Sequence, residues 1–268
     1  MSDDRLKSAF LTLSSVMRRL RAGCPWDARQ THASLRRYLI EECHEVLDAL
    51  DRGDPEDLRA ELGDLLFQVW FHSEIASERE GGFDLADVLD GIARKLVRRH
   101  PHVFEESGRG AEGEEAWSRA AWERRKMSEG RTSRLEGLPS GLPALLQAQI
   151  LQEKAASAGF DWPDHRGVLD KVREECAELE EELAAAASSG GAMPTPGMAH
   201  ELGDLLFTLV NLARKLDLNA EDALRMANRR FRKRFQYIER AVAASNRPIE
   251  DVDLDELERL WQEAKAAE

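Results

Sequence analysis

The sequence predicts an all-α fold made of two tandem copies of one helical-bundle domain, with no significant sheet. Three observations carry this. Apolar residues recur at three- and four-residue steps along most of the chain, no segment alternates with period two for long enough to make a strand, and the heptad ELGDLLF occurs at 61–67 and again, unchanged, at 201–207.

The elements follow in order. Leu6, Phe10, Leu13, Met17 and Leu20 trace one face of a first helix, which Gly-Cys-Pro at 23–25 stops. Leu35, Leu39, Val46, Leu47 and Leu50 carry a second helix to Gly53, and Leu58, Leu62, Leu65, Leu66, Val69 and Trp70 carry a third. A fourth is predicted over 85–99. The second half repeats the plan, except that AAAASSGGAMPTPGMA (184–199) widens the gap between its two acidic helices.

The duplication reaches beyond the heptad. AGCPW (22–26) answers AGFDW (158–162), EECHE (41–45) answers EECAE (174–178), RKLVRR (94–99) answers RRFRKR (229–234), and WERRK (122–126) answers WQEAK (261–265). A period of about 135 residues marks a duplicated domain rather than a solenoid. The Gly-, Ser- and Pro-rich stretch EGRTSRLEGLPSGLP suits a linker at 129–143, so the expected domains are 1–128 and 144–268.

With 268 residues, 42% of them hydrophobic, each half can bury a core. The balance of 51 acidic against 38 basic residues gives a net charge of −13, which argues against a protein whose main work is gripping nucleic acid. An anionic substrate therefore needs a local remedy, either the basic runs RKLVRRH (94–100) and RRFRKRF (229–235) or a bound divalent cation. Apolar runs fall far short of a bilayer span, and MSDDRLKSAF has neither the basic head nor the apolar stretch of a secretory signal, so a soluble cytoplasmic protein is expected, with no membrane partner. The cysteines, Cys24, Cys43 and Cys176, are too few and scattered for a disulfide framework and are expected to be reduced, partly buried thiols.

The carboxylates are the chemical signal. On a helix Glu41 and Glu42 each lie one turn from Glu45, and Glu61 lies one turn from Asp64; Glu174, Glu175, Glu178, Glu201 and Asp204 repeat this in the second half. Two such helices packed antiparallel bring four or five carboxylates together, and their repulsion is relieved if a hard, oxygen-seeking cation such as Mg²⁺ joins them. The plain alternative is a solvated acidic face. Against it, in both heptads the acids sit inside the apolar pattern, with a small glycine between them where close helix approach is wanted. Glu41 and His44 also form the Glu-x-x-His of di-iron bundles, but the position matching His44 is Ala177, which removes that reading.

EExxE followed about 15 to 30 residues later by ExxD, twice in one chain and together with GCPWD, RRHPHVF and GFDW, resembles the MazG family of nucleoside triphosphate pyrophosphohydrolases, all-α NTP pyrophosphatases, over nearly the whole chain. The resemblance implies Mg²⁺-dependent hydrolysis (Mn²⁺ as a substitute) of a nucleoside triphosphate to the monophosphate and pyrophosphate, with broad base tolerance, in a homodimer. It makes Glu175, Glu178, Glu201 and Asp204 metal ligands of the second domain and Glu42, Glu45, Glu61 and Asp64 their counterparts in the first. It also puts nucleotide contacts on Lys171, on the basic helix from Arg230 to Arg234, and on Trp261; family members often carry lysine where Arg230 stands.

Beside that resemblance, Glu174 is a candidate to orient or deprotonate the attacking water. Arg230 and Arg234, one turn apart, suit a phosphate tail or form a solvated basic face, and Trp261 suits base stacking or core packing, with Trp122 in the equivalent place. Trp26 and Trp162 read as packing anchors. Register sets Lys171 opposite Tyr38 and Asn228 opposite Ala93, so the second domain is expected to carry most turnover and the first, which retains Lys95 and Arg99, a structural or regulatory role. The alternatives are a narrower dUTP, dCTP or phosphoribosyl-ATP pyrophosphohydrolase, or a non-enzymatic helical dimerisation module.

Overall fold

Capping side chains mark the helix starts where the apolar periodicity begins. Helix α1 (Asp3–Gly23) leads through a short 3-10 turn (Asp27–Arg29) to α2 (His32–Arg52). Thr31 and Ser34 close a reciprocal capping box at the head of α2, and Gly53 ends it in the left-handed region at φ 71°. Asp54 accepts from the Glu56 amide and Pro55 takes the first position of α3 (Pro55–Ser77), so α2 and α3 are joined by a connection short enough to force a hairpin. Asp84 and Asp87 box the start of α4 (Leu85–Arg99), which α5 (Pro101–Phe104) follows.

The computed structural model describes residues 2–104, 119–127, 130, 132–189 and 193–268. Among them all regular elements are helical, and no helix is long and apolar enough to cross a membrane. The second series is α6 (Arg119–Met127), α7 (Ala144–Ala156), α8 (His165–Ser189), α9 (Pro196–Lys215), α10 (Ala220–Ala244) and α11 (Leu254–Ala266). Thr195, Asn219 and Asp253 cap α9, α10 and α11 through the amides of Met198, Asp222 and Glu256.

The chain divides into two compact units, Met1–Glu112 and Gly113–Glu268. Helix α6 therefore belongs with the second unit, whereas the sequence reading placed it at the end of the first. The cause is a buried ion pair: Glu123, 3% exposed, holds Lys126 at 2.7 Å and faces Lys154 at 3.9 Å. Lys154 also donates to the carbonyls of Arg134 (2.9 Å) and Glu136 (3.3 Å), which fixes part of the segment expected as linker against α7.

The first unit packs α1, α2 and α3 around Met17, Leu35, Trp70, Phe71 and Ile75. In the second, the main apolar cluster lies between α10 and α11, around Ile238, Val242, Val252 and Leu260. Helix α7 is instead secured by buried amides: Gln152 donates to the Phe207 carbonyl (2.7 Å), and the Gln149 oxygen accepts from the Ala220 amide (2.9 Å).

Three expectations need correcting. Leu62 and Leu66, taken to face the core, are 49% and 41% exposed, and their repeats Leu202 and Leu206 are 48% and 47% exposed. A two-helix hairpin covers one apolar face, and these leucines lie on the other. Gly63 and Gly203 mediate no close approach, since a Cβ on either meets nothing within 4 Å. The thiols are free, but Cys24 alone is half-buried, while Cys43 and Cys176 are exposed.

Candidate active site

The hairpin geometry assembles each acidic site. Glu42 and Glu45 on α2 stand at the height of Glu61 on α3, on either side of the turn, and ligand-capable atoms of the three lie within 4.8 Å of one another. Glu175, Glu178 and Glu201 form the same triangle between α8 and α9. Six of the eight expected metal ligands are thus brought together. Asp64 and Asp204 stand outside the two triangles: Asp64 acts on Glu42 through its charge, and the Asp204 carboxylate lies 3.4 Å from His200 Nε2.

The two sites differ in what balances the acids. In the second unit Lys171 Nζ reaches Glu175 at 2.7 Å and Glu174 at 2.9 Å, and these hydrogen bonds, the one to Glu175 foremost, hold the ammonium above its usual range. Glu175 is buried at 3% exposure; Lys171 takes one of its oxygens, and the other is buried with no hydrogen-bond partner among the described residues. Partial desolvation, then the charge of Glu175, pushes the Glu178 carboxyl upward. In the first unit Tyr38 occupies the position of the lysine and engages Arg37, while Gln68 offers Glu42 an amide at 3.5 Å. Burial, with the charges of Asp64 and Glu45, raises Glu42.

An orphaned, buried carboxylate oxygen facing two further carboxylates is costly unless a cation fills the site. The donor set is all oxygen, as hard divalent cations require, and the residues fit such an ion.

The remaining expected residues lie elsewhere on the second unit. Glu174 is 57% exposed at the side chain and turned toward Lys171. Asn228 and Arg230 are exposed on α10, which packs against α9. Arg234 lies over the Trp261 ring, 5.3 Å from its centroid, and Trp261 also meets Phe231 at 5.3 Å and the α10–α11 core. Trp261 is therefore at once a packing residue and the platform of Arg234. In the first unit Arg99 is 8% exposed and Lys95 is exposed.

Several features were missed from the sequence. The Trp162 ring lies on Gly167, where a Cβ would come within 2.6 Å of it, and the Glu182 carboxylate sits over Gly197 in the first turn of α9, where an added Cβ would displace it. A carboxylate at a helix N-terminus is favoured by the unpaired amides, so Glu182 steadies the helix that carries Glu201. Asp161 in the AGFDW loop is bound by Arg214 (3.1 Å) and Lys215 (2.7 Å) at the end of α9. Arg21 on α1 does the corresponding work in the first unit, reaching Glu78 (2.5 and 2.8 Å) and the carbonyls of Asp27 and Gln30. Another is the His32–His72 pair, Nδ1 to Nδ1 at 2.8 Å. Only the i, i+4 spacing of His200 and Asp204 was a signal available in the sequence.

Known proteins match this arrangement. The MazG nucleotide pyrophosphohydrolase domain matches twice, at residues 30–104 and 164–238, spans that contain both acidic triangles. The chain is 45% identical to a nucleoside triphosphate pyrophosphohydrolase of Escherichia coli K12, over 96% of this chain and 97% of that one. It is 40% identical to a nucleoside triphosphate pyrophosphohydrolase/pyrophosphatase MazG of Thermotoga maritima, over 97% and 96%. It is also 43% identical to the protein YabN of Bacillus subtilis, over 97% of this chain and 52% of YabN. Two domain matches on two carboxylate hairpins, with relatives alike from end to end, establish that this chain belongs to the MazG nucleotide pyrophosphohydrolase family.

Proposed function

We propose that the protein hydrolyses nucleoside triphosphates to nucleoside monophosphate and pyrophosphate, with broad base tolerance, and that the second unit carries most or all of the turnover. The observation that carries this reading is Glu175: buried, one oxygen on Lys171, the other unpartnered, in a triangle with Glu178 and Glu201. Glu175, Glu178 and Glu201 would hold Mg²⁺, or Mn²⁺ in its place, with Asp204 joining by leaving His200. The cation supplies charge neutralisation to the phosphate oxygens as the transition state forms.

The chain's own residues do the rest. Lys171, already poised over Glu174 and Glu175, binds a phosphate oxygen; Arg230 and Arg234 hold the polyphosphate tail, and Asn228 offers an amide beside them. A water oxygen bonds to the α-phosphorus, the bond to the bridging oxygen breaks, and pyrophosphate leaves with its electron pair. Glu174, exposed and one turn from Glu178, orients that water and accepts its proton. The first unit keeps the triangle of Glu42, Glu45 and Glu61, with Asp64 beside it, as a metal-binding structural or regulatory site.

A homodimer suits the leucines left outside each hairpin, together with Leu89, Ile92 and Leu96 on α4 and Leu224 and Phe231 on α10, all more than 40% exposed. Three free thiols suit the reducing cytoplasm. The deciding experiment is pyrophosphate release from a panel of ribo- and deoxyribonucleoside triphosphates with and without Mg²⁺. Turnover across bases is expected. Turnover of dUTP or dCTP alone would support a narrower enzyme, and none anywhere would support a dimerisation module.

A further inference from the structure

We propose that the Glu268 carboxylate is an internal occupant of the phosphate-binding cations of α10, holding Arg234 when no substrate is present and so setting the affinity of the second unit for polyphosphate. The proposal rests on the reading above that Arg234 binds the phosphate tail.

Glu268 lies just beyond α11 and folds back onto α10, where its Oε2 accepts from Arg234 Nη2 at 2.6 Å. The pair is well shielded, with side chains 17% and 23% exposed. The carboxyl is held below its usual range first by the Arg234 hydrogen bond, and the charges of Arg234, Lys233 and Arg230 add to this, so three cations act on one carboxylate. The Arg234 ring-facing side is taken by Trp261 and its Nε is buried without a partner among the described residues, which leaves the terminal nitrogens as the edge presented to an anion.

A guanidinium edge accepts a carboxylate or a phosphate in the same fork geometry, and the two exclude each other there. Glu268 also lies outside the hydrogen-bonded body of α11, which ends at Ala266, so its displacement breaks no helix. A carboxylate seated among these cations reports that their arrangement accepts an anion, and it competes with any polyphosphate that arrives.

The test is Glu268→Gln, which keeps size and shape. Isothermal titration with inorganic pyrophosphate and Mg²⁺ at low ionic strength should give about 2- to 5-fold tighter binding, the range of a partly exposed ion pair. KM for a nucleoside triphosphate should fall alike with kcat unchanged. Arg234→Lys and Arg234→Ala should weaken pyrophosphate binding, and Glu268→Gln should add nothing in the Arg234→Ala background. Unchanged or weaker binding by Glu268→Gln, with Arg234→Ala still weakened, overturns the internal occupant alone. If both Arg234 variants bind pyrophosphate as the parent does, the placement of Arg234 in the substrate site falls, and the proposal with it.

Discussion

The two acidic hairpins share seven letters and a triangle of glutamates, yet one has an ammonium over its buried carboxylate and the other has the amide of Gln68, its Tyr38 hydroxyl being taken by Arg37. Lys171 partners the buried Glu175, whereas Glu42, without a lysine, is less buried and is raised first by burial and then by the charges of Asp64 and Glu45. The lesson is that one acidic triangle can stand twice in a chain while the charge that balances it depends on residues a turn away, which differ between the copies.

The comparison breaks most directly at the ligands. Glu178→Ala should cut kcat/KM by more than about 100-fold, since even partners one shell out from a metal are worth about 10–100-fold. Glu45→Ala should leave turnover within about 3-fold, and steady-state pyrophosphate release measures both. Loss of activity in the Glu45 variant alone would reverse the assignment of the two halves.

Next in size is the lysine. Lys171→Ala should lower kcat/KM by about 10-fold or more, the scale of one hydrogen bond to a charged group, while Tyr38→Ala leaves it unchanged. Thermal shifts sharpen the point: Mg²⁺ should stabilise the parent protein, and Glu175→Gln should lose that stabilisation.

The pins that hold the loops should show up in stability. Asp161 is lowered from 3.8 to about 2, first by its hydrogen bond from Arg214. A carboxyl with a depressed folded value contributes stability that is complete above pH 4 or so and lost as pH falls toward 2. Asp161→Asn should therefore cost about 2 kcal/mol at neutral pH and flatten that acid limb, as urea unfolding across pH would show. Glu78 is lowered as well, by Arg21, so Glu78→Gln should have a like-signed effect on the first unit.

The smallest effect is steric. Gly167→Ala drives a methyl into the Trp162 ring and should cost about 1 kcal/mol, whereas the matching Ser34 of the first repeat takes part in a capping box and tolerates its side chain. Chemical denaturation of Gly167→Ala measures it.

Much of the fold was legible because periodicity and punctuation agree: the fourth helix was expected over 85–99 and is found at Leu85–Arg99. The duplication, and with it the pairing of carboxylate helices, was legible for the same reason. Periodicity locates an apolar face without saying what covers it, which is why Leu62 and Leu66 were assigned to the core and lie outside it. It is also blind to helices fixed by buried polar groups, such as α7 with its buried Gln149, Gln152 and Lys154. Within the candidate site, spacing placed Asp204 beside Glu201 on one helix face, but its side chain chose His200. The loop pins join residues more than 50 positions apart, and nothing local announces them.

Those pins have opposite polarity. In the first repeat the cation precedes the loop on α1 and the acid follows α3; in the second the acid is in the loop and the cations close α9. By register the place of Arg214 is held in the first repeat by Glu74, and the place of Asp161 by Pro25. An exchange of the AGCPW and AGFDW segments would therefore set an aspartate against Glu74 and leave Arg214 and Lys215 without their acid. Recombination between the two copies is penalised at this joint even where their heptads are identical, so the repeats are free to keep separate histories, and chimeras for engineering should carry the loop and the end of its partner helix together.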